Sequence, residues 1–365
     1  MREVVIIGGG LAGAATACHL ATAGRDVLLL ERTTGPHDKV CGEFLSFEAQ
    51  HELSDLGIDI RALGAVPIRE VVVQRGATRS TAALPFEGQS LSRRVLDEAL
   101  LARATALRAE VRRGVRVRRV ERSRSGWIVG LDRAERIEAR HVVLATGKHD
   151  LRGWRRPTGW QNDLVGFKAY LPLLDRSRLR DAVELHLFPG GYAGLEPVEG
   201  RRANLCLVVR REAFATLGGR WEELISMLRE TCPGLRTLLS SEHEPEARPL
   251  AIHGIPYGLV QERSDGLWRV GDQAAVIPSF TGEGMSIALH SARLASCHLQ
   301  AGRRPDEFQR QLAQGLRWQV RRSTLVSLGL VASPSQAVAS HLLHPLLLRG
   351  MVHATRIPRS ARSRF

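Results

Sequence analysis

The opening stretch MREVVIIGGGLAGAATACHLATAGRDVLLLER confines the chain to few folds. Val4 to Ile7 is a short β-branched run that reads as a buried strand, and Gly8, Gly10 and Gly13 follow it at the spacing GxGxxG. A helix is expected from about Leu11 to Ala23, ended by Gly24, and then a second apolar strand, Val27 to Leu30, that stops at Glu31. Gly8 permits the tight turn, Gly10 lets backbone approach a pyrophosphate, and Gly13 lets helix and strand pack closely. The first-turn amides, Leu11 and Ala12 among them, and the positive end of the helix dipole then face the phosphates, while Glu31 accepts from a ribose hydroxyl. Strand, loop, helix, strand and terminal acid in this order mark a dinucleotide site; the loop alone leaves NAD and FAD both open.

Around this site there is room for two domains in 365 residues, 44% of them hydrophobic and 25% charged, which reads as globular and soluble. Five scattered cysteines without a CxxC pair point to reduced thiols in a cytoplasmic compartment and to no metal site. The first strand begins almost at Met1, which leaves no room for a signal peptide, and no apolar run is long enough to span a bilayer. The formal charge of +14 is carried almost wholly by arginine, since the only lysines are Lys39, Lys148 and Lys168. Without a recognition module or aromatics interleaved with a basic stripe, nucleic acid is not an expected partner, although anionic cofactors and lipid headgroups are attracted.

Beyond Glu31 the loop RTTGPHDKVCGEFLS leads into a helix from about Ser46, with Ser46 as its cap and Phe47, Leu53 and Leu56 as core candidates. Cys41 reads either as a small buried hydrophobe or as a functional thiol, with Lys39 before it and a helix start after it. Strand patterns follow over Ile68 to Gln74 and Ala77 to Pro85, then a helix in SLSRRVLDEALLARATAL. Arg93 and Arg94 sit at its start, where cations oppose the dipole, so either an anionic partner or plain solvent exposure explains them. A basic meander delivers the chain to HVVLATGK, a buried strand closed by Ala145, Thr146 and Gly147. From about Asp150 to Val260 short strands predominate, and Phe188, Pro189, Tyr192 and the glycines around them form either a pocket-lining turn or an ordinary hairpin loop. In LWRVGDQAAVIPSFTGEGMSIALH a strand ends at Gly271 and Asp272, and Gly282, Glu283, Gly284 and Met285 open a helix, a second carboxylate and helix start that suit a ligand with two halves. The remainder is helical; its last segment, HLLHPLLLRGMVHATRIPRSARSRF, is either a packed helix with a frayed tail or a membrane-surface contact.

GGGLAG with Glu31 and Arg32, LSRRVLDEAL, VVLATG and GDQAAVIPSFTGEG, in this order, resemble the FAD-dependent oxidoreductase superfamily that includes geranylgeranyl reductases, aromatic-ring hydroxylases and flavin-dependent halogenases. The resemblance implies an α/β fold: a discontinuous Rossmann-type FAD-binding domain (1–66, 90–150, 263–305), an inserted mixed β-sheet substrate domain (67–89, 151–262) and a helical C-terminus (306–365). It implies that Arg93 meets the phosphates, Asp272 the ribityl chain or pyrophosphate, and the amides of Gly282, Glu283 and Gly284 the flavin pyrimidine oxygen. KVCGEFLS looks like the CGE loop of geranylgeranyl reductases, which puts Cys41 and Gly42 beside the flavin. LHLFPGGYAG is similar to their lipid-pocket strand, with Phe188, Pro189, Tyr192 and Phe280 as pocket residues. Ser279 stands where many relatives have proline, the halogenase WxWxIP signature is absent, and ATGKHDLRG replaces the hydroxylase ADGxxS. The first expectation is therefore hydride reduction of a double bond in a lipophilic isoprenoid or polyketide-like molecule, with Cys41, Ser279 and Lys168 as catalytic candidates and NAD(P)H as electron donor. The alternatives are NAD(P)H-dependent monooxygenation of a phenolic or polyketide ring, and a non-catalytic flavin-binding protein.

Overall fold

The computed structural model describes residues 1–173, 179–236, 238–239 and 248–332, together with Gly350 and Arg356. The C-terminal stretch read from sequence as a packed helix or a membrane contact lies outside the described residues, apart from those two.

The chain opens with β1 (Arg2–Ile7), α1 (Leu11–Thr22) and β2 (Val27–Glu31), and then forms β3 (Phe44–Leu45), α2 (Phe47–Asp55), β4 (Val66–Arg75), β5 (Thr78–Ser90) and α3 (Arg93–Ala106). Next come β6 (Glu110–Arg113), β7 (Val117–Ser123), β8 (Gly126–Leu131) and β9 (Arg136–Leu144). The middle of the chain supplies β10 (Leu164–Pro172), β11 (Ala182–Phe188), β12 (Gly191–Val198), β13 (Arg202–Arg210), α4 (Arg211–Thr216), α5 (Trp221–Thr231) and β14 (Leu250–His253). The described helical end holds β15 (Trp268–Arg269), α6 (Gly284–Gln300) and α7 (Pro305–Val331).

The strands sort into two sheets. In the seven-stranded one the order is β6-β2-β1-β9-β8-β7, with β15 also on β9. Its centre is parallel, β2, β1, β9 and β15, while β7, β8 and β9 form an antiparallel meander. Val4 and Ile6 pack towards α1, α3 and α6, whereas Val5 and Ile7 pack towards Val120, Trp127 and Val129 of the meander. Burial on both faces explains why β1 is apolar at successive positions rather than alternating. The eight-stranded sheet has the order β14-β10-β13-β12-β11-β4-β5-β3, antiparallel except where β11 runs beside β4. One of its faces packs Phe167, Phe188, Leu195 and Leu205 against Leu224 and Leu228 of α5. The other face looks towards the first sheet. This is a discontinuous Rossmann-like α/β fold carrying a large mixed sheet and C-terminal helices.

Two local readings need correction. Ser46 precedes α2 but does not cap it: its hydroxyl bonds Glu48 Oε2 at 3.1 Å and Ser286 Oγ at 2.8 Å on α6. Phe47 is 52% exposed and is no core residue, while Leu53 and Leu56 are buried as expected.

Candidate active site

A cavity of about 700 Å³ opens between the two sheets. Its first end is the glycine loop. Gly8 has φ +109°, and a Cβ there would lie 2.5 Å from the Ala145 carbonyl oxygen; a Cβ on Gly13 would lie 1.9 Å from the Gly8 oxygen. Neither position accepts a side chain. Gly10 precedes α1 without any side-chain cap, so the first-turn amides keep free donors. A Cβ on Gly10 would stand 3.0 Å from Lys39 Nζ and 3.4 Å from an Arg93 nitrogen. Both cations are held by one carboxylate. Lys39 Nζ donates to Asp97 Oδ2 at 2.7 Å, and Arg93 donates to Asp97 through two bonds of 2.9 and 3.0 Å. Burial alone would raise the Asp97 carboxyl, but Arg93 and then Lys39 bring it below its usual range. Two positive charges on one negative leave an excess of one beside Gly10, a receptor for a diphosphate.

Glu31 borders the cavity with its carboxylate turned to the loop. Oε2 accepts from the Gly9 amide at 2.6 Å, and Oε1 from the Thr33 amide and hydroxyl at 2.9 and 2.8 Å. It braces the glycine loop, a role the sequence reading did not assign to it. Arg32 lies exposed at the rim, and Ala145, Thr146, Gly147, Gly271 and Asp272 border the cavity where β9 and β15 end.

Leading on from Lys39, the loop to Glu43 lies over three adjacent strands of the eight-stranded sheet. Lys168, Cys206 and Gly194 form one cross-strand row, and Tyr170, Asn204 and Glu196 the next. Asn204 Nδ2 donates to the carbonyls of Cys41 and Gly42 at 3.1 and 2.9 Å, and the Lys148 ammonium donates to that of Val40. Glu43, at φ +65°, turns inward. Its carboxylate pairs with Lys168, accepts the Tyr170 hydroxyl at 2.9 Å on each oxygen and the Arg93 amide at 2.7 Å. Burial pushes this carboxyl upward and Lys168 only partly offsets it. Lys168 is 1% exposed and does not border the cavity, so its placement as a catalytic group is corrected to positioning of the loop. Cys41 is half-buried, borders the cavity, and its Sγ accepts from the Glu43 amide at 3.4 Å.

The cavity is also bordered by the turn Ser279–Thr281 that leads into α6. The Gly282 amide donates to the Ser279 carbonyl at 3.2 Å, and the Glu283 amide to Thr281 Oγ1 at 3.2 Å. Both are used to close the turn, so the first-turn amides of α6, at Gly284 and Met285, are the ones available to a ligand, in place of the expected Gly282 and Glu283. The Glu283 side chain is buried, and burial together with Glu48 raises its carboxyl to about 8. Tyr192 and Phe280 border the cavity, edge to face with centroids 6.0 Å apart. Phe188 does not: strand alternation turns it into the α5 core, and Pro189 is exposed in the following turn. Sequence reasoning missed Tyr170, Asp97, Tyr257 and Glu196. Asp97 alone had a local signal, four residues after Arg93 on one helix face.

A family model described as FAD dependent oxidoreductase matches residues 3–39. The chain is 27% identical over 324 residues to a menaquinone reductase of Mycobacterium tuberculosis, covering 80% of this chain and 75% of that protein. It is 29% identical to digeranylgeranylglycerophospholipid reductase 1 of Methanopyrus kandleri, covering 80% and 79% of the two chains. In fold it matches halogenase PltM in complex with phloroglucinol and FAD, with a TM-score of 0.71, 17% identity, and 96% and 79% of the two chains covered. The chain is a FAD-dependent oxidoreductase. Its sequence is similar to those of the two reductases, and its fold is similar to that of the halogenase.

The residues present fit FAD. The Gly10 cradle that a Cβ would fill, the uncapped first turn of α1 and the excess charge of Lys39 and Arg93 suit its diphosphate, and the α6 amides lie on the same cavity for its second half. The cavity walls include the apolar side chains of Val71, Val73, Val183, Leu185 and Ile255. Among the described residues no cluster of three or more His, Cys, Asp or Glu could hold a metal ion, and no helix is long and apolar enough to cross a membrane.

Proposed function

We propose that this FAD-dependent oxidoreductase hydroxylates a phenolic or polyketide-like ring, with NAD(P)H as electron donor. The observation that carries the reading is the cavity itself: apolar walls wide enough for a substituted ring, with the hydroxyl groups of Tyr192, Tyr257 and Ser279 gathered at one place on its border. The solved neighbour of the same fold with phloroglucinol and FAD points the same way, as an example of a phenolic ring held in this architecture. The bound flavin would supply two-electron transfer from NAD(P)H to dioxygen, with one oxygen atom going to the ring and the other to water. The chain's own part is to hold and exclude. The α1 amides with Lys39 and Arg93 orient the diphosphate, the Glu43 clamp fixes the Cys41 loop, and the apolar walls keep water from the ring.

The second reading is hydride reduction of a double bond in an isoprenoid, and the two reductases at 27% and 29% identity support it. There Cys41 or a bound water would supply the proton. Incubation with NAD(P)H, alkylphenols and ¹⁸O-labelled dioxygen, followed by mass spectrometry, separates the two. Label in the product establishes hydroxylation. Label-free product formed equally well without oxygen from a prenylated quinone would overturn it in favour of reduction. A cytoplasmic setting belongs to the same proposal.

A further inference from the structure

Ser279 is the one exposed residue in a trio otherwise sealed in the wall. Tyr192 and Tyr257 are 2% and 3% exposed, whereas Ser279 faces open space where the turn borders the cavity. Tyr257 Oη accepts the Ser279 amide at 3.2 Å, and Tyr192 Oη lies 3.0 Å from Ser279 Oγ. The turn itself is closed on both sides, by the Thr281 amide and hydroxyl on the Pro278 carbonyl at 3.2 and 2.8 Å and by the Gly282 amide on the Ser279 carbonyl at 3.2 Å. Backbone and side chain of this serine are thus both pinned. Burial pushes the Tyr192 hydroxyl up in pKa, so it stays protonated and remains a hydrogen-bonding partner at neutral pH.

A hydroxyl has one donor and two acceptor positions. The contacts with Tyr192 and Tyr257 use two of the three, which leaves one position of this exposed hydroxyl for a ligand in the cavity. Phe280 and Val276 beside it, and Val73 and Leu185 on the sheet, are apolar. An alkyl group there would leave the remaining position of the pinned hydroxyl unfilled at the moment water is expelled, whereas an oxygen on the substrate would satisfy it.

We propose that Ser279 Oγ is the group that holds a ring hydroxyl of the substrate, with Tyr192 as the positioning residue that aims it. The substrate class is accordingly a hydroxyarene carrying an apolar substituent. This deepens the phenolic reading of the preceding section and rests on it, but it is tested by binding and needs no turnover.

The probes are 4-hexylphenol and its deoxy partner hexylbenzene, titrated into the FAD-loaded protein and followed by the flavin absorption change and by calorimetry. The wild type is expected to prefer the phenol. Ser279→Ala should lower phenol affinity about five-fold, the loss of one hydrogen bond, and leave hexylbenzene unchanged. Ser279→Thr should restore the preference, and Tyr192→Phe should reduce it without altering affinity for hexylbenzene or FAD. Equal loss of both probes in Ser279→Ala, or an unchanged ratio, overturns the assignment. A ratio that falls as expected while no labelled oxygen enters any product sustains Ser279 as the hydroxyl-binding residue and removes only the hydroxylation reading.

Discussion

Glu283 lies one residue before α6, with its side chain 2% exposed and one carboxyl oxygen without a partner. Replacing it by glutamine keeps the shape and removes the ionisation. In the native protein this carboxyl holds its proton to about pH 8, because of burial first and the Glu48 charge second, against 4.5 for an unperturbed glutamate. Between those values the folded state binds more protons than the unfolded one, so its contribution to stability falls as pH rises. At about 1.4 kcal/mol per pH unit the interval corresponds to a ceiling of about 5 kcal/mol, and relaxation with water entry brings the expected effect to about half of that. Urea unfolding in excess FAD should therefore give equal stabilities for wild type and Glu283→Gln near pH 4.5. By about pH 8 the variant should be the more stable by about 2 kcal/mol or more, with most of the gap opening as the pH climbs between those limits. Curves that run parallel from acid to alkaline pH would refute the assignment of a neutral buried acid behind the α6 turn.

Two further outcomes follow from packing. Gly13→Ala drives a Cβ into the Gly8 carbonyl and should lower FAD retained on purification more than ten-fold, read by flavin absorbance per protein, while Gly35→Ala, with nothing within 4 Å, should retain it fully. Lys168→Met strands the Glu43 carboxylate in the interior and should cost about 3–5 kcal/mol in urea unfolding; the double variant with Glu43→Gln should recover most of it, and failure to recover would show that the ion pair is not the cause.

The parts of this molecule that were legible in its sequence are those whose physics is local. Gly8 and Gly13 announce themselves because only glycine fits a positive φ or a 1.9 Å approach, and β1 because an unbroken apolar run is what two-sided burial requires. The misplacements arose where a distant residue decided the outcome. Ser46 had the identity of a helix cap, but Ser286 on α6 took its hydroxyl. Lys168 looked free to act until Glu43, 125 positions earlier in the chain, was found against it. Phe188 ends β11 on the face opposite the cavity-lining Leu185, and strand phase is set by what each face of the sheet packs on. The amides of Gly282 and Glu283 were expected to serve a ligand, yet the Ser279 carbonyl and Thr281 hydroxyl reach them first.

Of the lysines in this arginine-rich chain, Lys39 lies in the Cys41 loop itself, Lys148 bonds its Val40 carbonyl, and Lys168 pairs with its Glu43. Amine chemistry is thereby concentrated at one place. With Lys168 sealed in the wall, a reagent selective for primary amines has Lys39 and Lys148 as its side-chain targets, beside the N-terminus. Acylation there neutralises a diphosphate-facing cation or unties the loop, so the extent of lysine labelling, read with and without FAD, doubles as a footprint of the cofactor and loop state.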